Sequence, residues 1–412
     1  MSKVIYYLNE SDIAKEKIYE TTQQSYIVLN NNEEWNSDSE WKHDSLEHYN
    51  SVILEYPSRR LLSFAPPKNQ EYTDVNDFLS FYKDPESKDT IYTNEFVEGT
   101  FIHLFYDIRI SSWEIATKRA VGGNYSYFHI PGKESITYKQ MVMEAFRESI
   151  DISLNDLSFL DYLPKNHCYS FVLQHPANHI VIPIHNPKMY LVSVYEIDND
   201  KNTATFISPF EYQSWSIFDN LREGILYFPK MIDSSTNDYI TLIQNNVSIH
   251  TPYTQMGLMM TNLNNGKRCS IINPNYEEMC KIRGNHTNIQ YQYLCLRRIN
   301  KVLHFLKYFP QYKSLFYEYR EQYERLLTNI HQSYISYYIQ KNGVFISKKY
   351  FPIIYDIHHS IFLPSVKTSL QNGFSNKIII KRSVIKDYVN QLDPGKILHI
   401  INSELLATKI VN

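Results

Sequence analysis

NEFVEGTFIHLFYD, residues 94–107, is the stretch that decides how the first part of this chain folds. An acidic residue and a glycine, Glu98 and Gly99, stand directly before a run of aromatic and branched apolar side chains that ends at Asp107. Such a run, bounded by turn residues, is typical of a β-strand. The stretch therefore predicts a strand that starts just after the glycine.

Further strand-like runs follow along the chain, and each is bounded by turn residues. They are SWEIATK (112–118), YSFVLQ (169–174), HIVIPI (179–184) and MYLVSVYEI (189–197). These runs predict a domain in which short strands mix with helices.

The hydrophobic period becomes helical after residue 296. One stripe of apolar and aromatic side chains recurs there at helical spacing, and it indicates core packing against neighbouring helices. Its members are Phe316, Tyr319, Tyr323, Leu326, Leu327, Ile330 and Tyr334. The sequence therefore predicts an α+β domain over residues 1–295 and a helical domain over residues 296–412.

Composition sets limits on function. The 412 residues carry 41 basic and 44 acidic side chains, a net charge of −3, so no overall attraction to nucleic acid or to a membrane is expected. The cysteines lack zinc-site spacing, and the pairs His43/His48 and His358/His359 lack partner carboxylates, so no metal site is predicted. No apolar run has the length of a membrane span, and the first residues lack the apolar core of a signal peptide. We expect a soluble, intracellular protein.

Four stretches, in this order, resemble the nucleotidyltransferase domain of bacteriophage T4-type RNA ligases. The family's Lys-x-Asp-Gly motif corresponds to FVEG (96–99), and WEIATKRAVGG (113–123) resembles the family's second strand. PANHIV (176–181) resembles the family's Pro-Thr-Asn-Arg-Ile-Val. TQMGLMMTNLNNGKRCSIINPNYEEMCKIRG (254–284) resembles the Glu-Gly strand, the Lys-x-Lys strand and the tyrosine-bearing segment after it. The resemblance implies antiparallel sheets around a cleft, followed by a C-terminal helical domain.

The residues on which the family's chemistry depends are replaced at the corresponding positions. These ligases first form a lysine–AMP bond from ATP, because a primary amine attacks the α-phosphorus; Phe96 stands at the position of that lysine. One family glutamate corresponds to Val172, the Glu-Gly glutamate to Met256, and the two triphosphate lysines to Ser270 and Ile272. The positions that keep the family's backbone frame are Glu98, Gly99, Gly257 and Tyr276. The resemblance thus implies the fold without adenylyl transfer, and no cofactor is expected.

Local basic residues are the candidates for contacting the phosphates of RNA. Lys118 and Arg119 follow the strand at 112–118, where a solvated hairpin end is the alternative interpretation. Lys267 and Arg268 could replace one of the missing lysine charges, although a hairpin tip is the expected place for them. The five predicted nucleic-acid contacts are Arg59, Arg60, Lys68, Lys118 and Arg119.

Three functions are compatible with the sequence. The first is an RNA ligase-like protein of a large DNA virus that is catalytically inactive and binds RNA or RNA ends. The second is an active RNA ligase that uses ATP and Mg²⁺, in which another amine such as Lys118 replaces the missing lysine. The third is a viral structural or interaction protein that binds a protein partner, in the host cytoplasm or in the virion.

Overall fold

The computed structural model describes most of the chain, in segments. The described residues are 3–8, 15–30, 50–72, 90–126, 135–147, 160–178, 180–218, 226–232, 239–284, 286, 288–341, 346–372 and 378–411. They form two compact units that divide after Arg283. The change of hydrophobic period that we placed near residue 296 falls close to this division.

Three sheets make up the strands that the structure describes in the first unit. In the largest the order is β1-β13-β12-β11-β8-β9-β10, with β14 beside β12; the other two have the orders β6-β16-β15-β7 and β2-β3-β4-β5. The strands are β1 Ile5–Tyr7, β2 Lys15–Glu20, β3 Ser25–Asn30, β4 Val52–Glu55, β5 Leu61–Phe64, β6 Gln70–Tyr72, β7 Ile91–Glu95, β8 Thr100–Asp107, β9 Ser112–Thr117, β10 Ala120–Val121, β11 His167–Gln174, β12 Lys188–Asp198, β13 Thr203–Ile207, β14 Leu226–Tyr227, β15 Gly257–Asn262 and β16 Arg268–Ile272.

Neighbouring strands pair antiparallel, except that β6 runs parallel to β16 and β14 parallel to β12. The predicted strands at 101–107, 112–118, 169–174 and 189–197 are confirmed as β8, β9, β11 and β12. Alternating apolar positions made these strands recognisable, because one face of each must be buried. The predicted antiparallel α+β architecture is therefore confirmed.

The predicted strand at 179–184 is wrong. His179 lies outside the described residues, and residues 180–184 form bends and irregular backbone. Their backbone N–H groups at Ile180, Val181 and Ile182 donate to the carboxylate of Glu98, so they are not available for a strand ladder. A local side-chain acceptor has replaced the sheet that the apolar pattern indicated.

Both faces of the largest sheet are covered. Met141 and Phe146, on the helix over residues 138–147, pack with Tyr169 and Leu191 on one face. The β2–β5 sheet covers the other face, where its side chains join a cluster with Phe105. The helices of the first unit are α1 Tyr138–Arg147, α2 Pro209–Tyr212, α3 Tyr239–Asn246 and α4 Pro274–Arg283.

The second unit is helical in its described part, as predicted for the C-terminal region. All seven members of the predicted stripe are buried along the longest helix, α7. The helices are α5 Ile289–Arg298, α6 Val302–Tyr308, α7 Lys313–Tyr334, α8 Phe351–Ile357, α9 Leu363–Asn372, α10 Arg382–Gln391 and α11 Pro394–Val411. Within the segments that the structure describes, none of the helices is both long and apolar enough to cross a membrane.

Candidate functional site

A cavity of about 230 Å³ opens beside Phe96, between the largest sheet and the β6-β16-β15-β7 sheet. Its volume lies below the roughly 300–1,000 Å³ that is usual for ligand pockets. The apolar part of its wall consists of Phe96, Phe101, Val172, Val192, Phe206 and Met259. The polar part includes Asn50, Ser51, Asn94, Ser193 and Thr261. Two cations, Lys118 and Arg268, line the same space.

Phe96 directly follows β7 and is half-buried. Its backbone N–H donates to the carbonyl oxygen of Gly257 at 2.9 Å, which ties the end of β7 to β15. Phe96 is one of the residues that line the cavity. The position that corresponds to the family's lysine therefore faces the cavity, but it presents an aromatic ring.

Of the other replaced positions, Val172 lines the same cavity, whereas Met256, Ser270 and Ile272 are not part of its wall. Val172 lies on β11, and its strand partner is Phe101 on β8. Ser270 is fully buried, and its hydroxyl accepts a hydrogen bond from Asn69 Nδ2 at 2.6 Å. Met256 and Ile272 are half-buried next to the Gly257 end of β15. These four side chains supply neither a carboxylate nor an amine to the cavity.

Glu98 has a structural position that the sequence did not indicate. Its carboxylate is buried, 2% exposed, and it accepts backbone N–H groups of Ile180, Val181 and Ile182 at 3.1–3.3 Å. The hydroxyl of Tyr276 donates to it as well. Burial raises the pKa of Glu98, while these hydrogen bonds oppose the shift. Glu98 thus holds the 180–182 segment in place, and it does not line the cavity.

The five predicted nucleic-acid contacts differ in burial and in the partners that the structure describes. Of these five, Lys118 lines the cavity; it is half-buried after β9. Arg59 forms an ion pair with Glu16 at 2.5 Å, on the β2–β5 sheet. Arg60, Lys68 and Arg119 are exposed. Their role as phosphate contacts stays a prediction.

Arg268 corrects one expectation from the sequence. We expected it at a hairpin tip, but it is the first residue of β16, is half-buried, and lines the cavity. Its neighbour Lys267, by contrast, is exposed. Strand alternation could have shown this, because residues 268, 270 and 272 share one face of the strand. The cavity-facing cation therefore stands two residues before the position of the first missing lysine.

Of the two histidine pairs, the structure describes His358 and His359. No group of three or more His, Cys, Asp or Glu side chains in the part of the chain that the structure describes could hold a metal ion. The ring of His358 stacks on Tyr338, with 3.7 Å between ring centroids, and His359 stacks on Tyr355. His43 and His48 lie outside the described residues.

Comparison with known proteins gives viral and phage relatives. No protein-family model matches the chain. It is 25% identical over 242 residues to the immediate-early protein ICP-46 homolog of Invertebrate iridescent virus 3, a match that covers 58% of this chain and 47% of that protein. It is 22% identical to the homolog of Invertebrate iridescent virus 6, over 87% of this chain and 78% of that protein.

An RNA ligase of Rhodothermus phage RM378 is 27% identical over 110 residues, which are 26% of this chain and 23% of the ligase. The chain resembles RNA ligases. That match confirms the resemblance which the motifs indicated. Among solved structures, a Naegleria gruberi RNA ligase mutant with ATP and Mn superposes with a TM-score of 0.37 at 15% identity, over 53% of this chain and 58% of that one. The matched region spans about half the length of the Invertebrate iridescent virus 3 relative, 47% of it.

Proposed function

We propose that this protein is an RNA ligase-like protein of a large DNA virus that binds RNA or RNA ends and does not transfer adenylyl groups. The observation that carries the proposal is the ring of Phe96 on the cavity wall, at the position of the family's nucleophilic lysine. A phenyl ring has no lone pair that can attack phosphorus, so a lysine–AMP bond cannot form there. The viral setting is supported by the two iridescent virus relatives.

The electrostatics of the cavity support the same proposal. Cations that neutralise the oxygens of a transferring phosphoryl group are usually worth several kcal/mol each in the transition state. Ser270 and Ile272 supply no such charge. Ser270 is also fully buried and hydrogen-bonded to Asn69. Lys118 and Arg268 keep the cavity positive. A positive cavity without the nucleophile favours binding of phosphates over their transfer.

Two measurements test this proposal. The protein is incubated with ATP labelled at its α-phosphate and with Mg²⁺, and then run on a denaturing gel; we expect no labelled band. Binding of a single-stranded oligoribonucleotide is followed by fluorescence anisotropy over a salt series, and we expect affinity to fall with rising salt. A labelled band, or no RNA binding at low salt, would contradict the proposal.

One observation favours a second candidate function, an active nucleotidyltransferase. Lys118 lines the same cavity as Phe96, so an amine is present near the position of the missing lysine. In that case the deprotonated amine would attack the α-phosphorus of ATP and release pyrophosphate. A labelled band that Lys118→Gln removes, and that Lys267→Gln leaves unchanged, would establish this second function.

A further inference from the structure

Arg268 is a cation without a carboxylate partner. No ion pair links it to Asp or Glu among the described residues. The ionisable groups near its guanidinium include the hydroxyls of Tyr195, Tyr6 and Tyr212. Burial raises the pKa of Tyr6 to about 12 and raises the pKa of the other two as well, so all three are neutral near pH 7. A half-buried guanidinium among neutral groups favours an anion beside it.

The cavity offers the partners that such an anion needs. Lys118 adds a second positive charge, and Asn50, Ser51 and Ser193 are hydrogen-bonding side chains in the same wall. The one carboxylate in the wall, Glu95, accepts the backbone N–H of Lys230 at 2.9 Å. The volume leaves room for roughly seven water molecules, which is enough for a phosphate group.

The planar guanidinium of an arginine donates two parallel hydrogen bonds to the oxygens of a phosphate or a carboxylate, and a phosphate monoester carries about two negative charges at pH 7, which suits two cations. We propose that the cavity binds a phosphate monoester, with Arg268 as its anchor and Lys118 as the second cation. Arg268 lies on the same face of β16 as Ser270, two residues before that replaced lysine position. The cavity therefore has a cation for an anion although Ser270 and Ile272 supply none. If the phosphate is the 5′ end of an RNA, this inference rests on the proposed function and specifies which part of the RNA the cavity binds.

The first experiment measures thermal unfolding of the full chain in inorganic phosphate and in sodium chloride at equal ionic strength. We expect phosphate to raise the midpoint of the parent by about 2–4 °C. Lys267→Gln, which removes the exposed neighbouring charge, should respond like the parent. Arg268→Gln should lose most of the rise, and Arg268→Lys should keep part of it, so a fold defect in one variant does not decide the outcome.

The second experiment identifies the source of the phosphate. Oligoribonucleotides that differ only in a 5′-phosphate or 5′-hydroxyl are titrated against the parent, Arg268→Gln and Lys267→Gln. A preference of about tenfold for the 5′-phosphate in the parent and Lys267→Gln, abolished in Arg268→Gln, assigns the site to RNA ends. Equal binding of both oligonucleotides together with a phosphate-dependent midpoint assigns it to a free phosphate compound.

Two outcomes would overturn the inference. One is a parent whose midpoint does not respond to phosphate and which shows no 5′-phosphate preference. The other is an equal response of Arg268→Gln and Lys267→Gln. RNA binding by the parent in either case would leave the proposed function standing, so the two failures can be told apart.

Discussion

At the scale of single residues, the backbone and the side chain of Phe96 have different roles. The N–H of Phe96 makes the hydrogen bond to Gly257 that joins β7 to β15, and this bond does not depend on the side chain. The same residue lines the cavity. A substitution here can therefore change the chemistry of the cavity without changing the fold.

Replacing the ring with an amine tests how much of the site remains. We expect Phe96→Lys to form no AMP adduct, because the amine enters a cavity where Val172, Ser270 and Ile272 supply neither acid nor counter-charge. Desolvation near Lys118 and Arg268 would lower the pKa of the new amine without organising its attack. The measurement is the labelled-ATP gel, with Phe96→Met as the folded control. An adduct on the lysine variant alone would show that the site needs only its nucleophile.

Glu98 gives a prediction about stability and pH. Glu98→Ala leaves the buried N–H of Val181 and the half-buried N–H groups of Ile180 and Ile182 without their acceptor, and we expect it to cost about 2–4 kcal/mol of unfolding free energy. Burial raises the pKa of Glu98 in the folded state, so the folded state binds the proton more tightly than the unfolded state does. This contribution to the unfolding free energy is fully present below the unfolded pKa of about 4.3, and it is lost as pH rises through the folded pKa.

The difference in unfolding free energy between the parent and Glu98→Ala should therefore become smaller as pH rises above about 4.3. Urea unfolding at several pH values measures it. Glu95→Ala is the control, since the described hydrogen bonds give Glu95 one backbone N–H, from Lys230. A gap that widens with pH would mean that the hydrogen bonds outweigh burial and that the folded pKa is lowered.

At the scale of elements, the β15–β16 pair depends on a close backbone approach. Gly257 begins β15 with φ 151°, and a Cβ at this position would overlap the carbonyl oxygen of Ile271. That oxygen belongs to the backbone of β16, so it cannot move aside as the end of a flexible side chain could. The glycine of the family's Glu-Gly motif thus remains necessary here for packing alone.

We expect Gly257→Ala to lower the unfolding free energy by about 1–3 kcal/mol. It should also disturb the cavity, because Gly257 holds the N–H of Phe96. Gly122→Ala is a matched control: its φ is 87°, but an added Cβ would meet its neighbours only at 3.5 Å or more. Equal destabilisation of both variants, measured by thermal unfolding, would show that backbone strain and not overlap sets the cost.

At the scale of the whole molecule, RNA binding depends on where the cations lie. Replacing Arg59, Arg60 and Lys118 with alanine should weaken RNA binding and lower its salt slope by roughly one unit for each phosphate that the protein then leaves unneutralised. Because Arg59 is already paired with Glu16, we expect it to contribute least of the three. The measurement is anisotropy over a salt series.

A variant of equal charge controls for the change of net charge. Lys301, Lys313 and Lys386 are exposed in the second unit, and replacing all three with alanine removes the same three charges. If affinity and slope fall equally in both triple variants, RNA responds to net charge and not to the predicted phosphate-binding residues. Unchanged binding in both variants would remove Arg59, Arg60 and Lys118 from the binding surface.

Local patterns could be predicted because they arise from short-range geometry. Alternation placed β8, β9, β11 and β12, and helical spacing placed the buried stripe of α7. The strand predicted at 179–184 failed because its partner is a distant side chain, Glu98, which no local pattern reveals. Phe96 and Val172, which the motif spacing singled out, both line one cavity.

The sequence by itself determined the α+β class, the helical C-terminal region and the absence of the family's lysine at position 96. The reason is that hydrophobic period and residue identity are properties of the chain alone. Only the tertiary structure decided that Lys118 and Arg268, far apart in the chain, line one cavity while Arg59 is paired with Glu16. It also decided that Glu98 is a buried anchor, because burial and hydrogen-bond partners depend on which distant segments the packed sheets bring together.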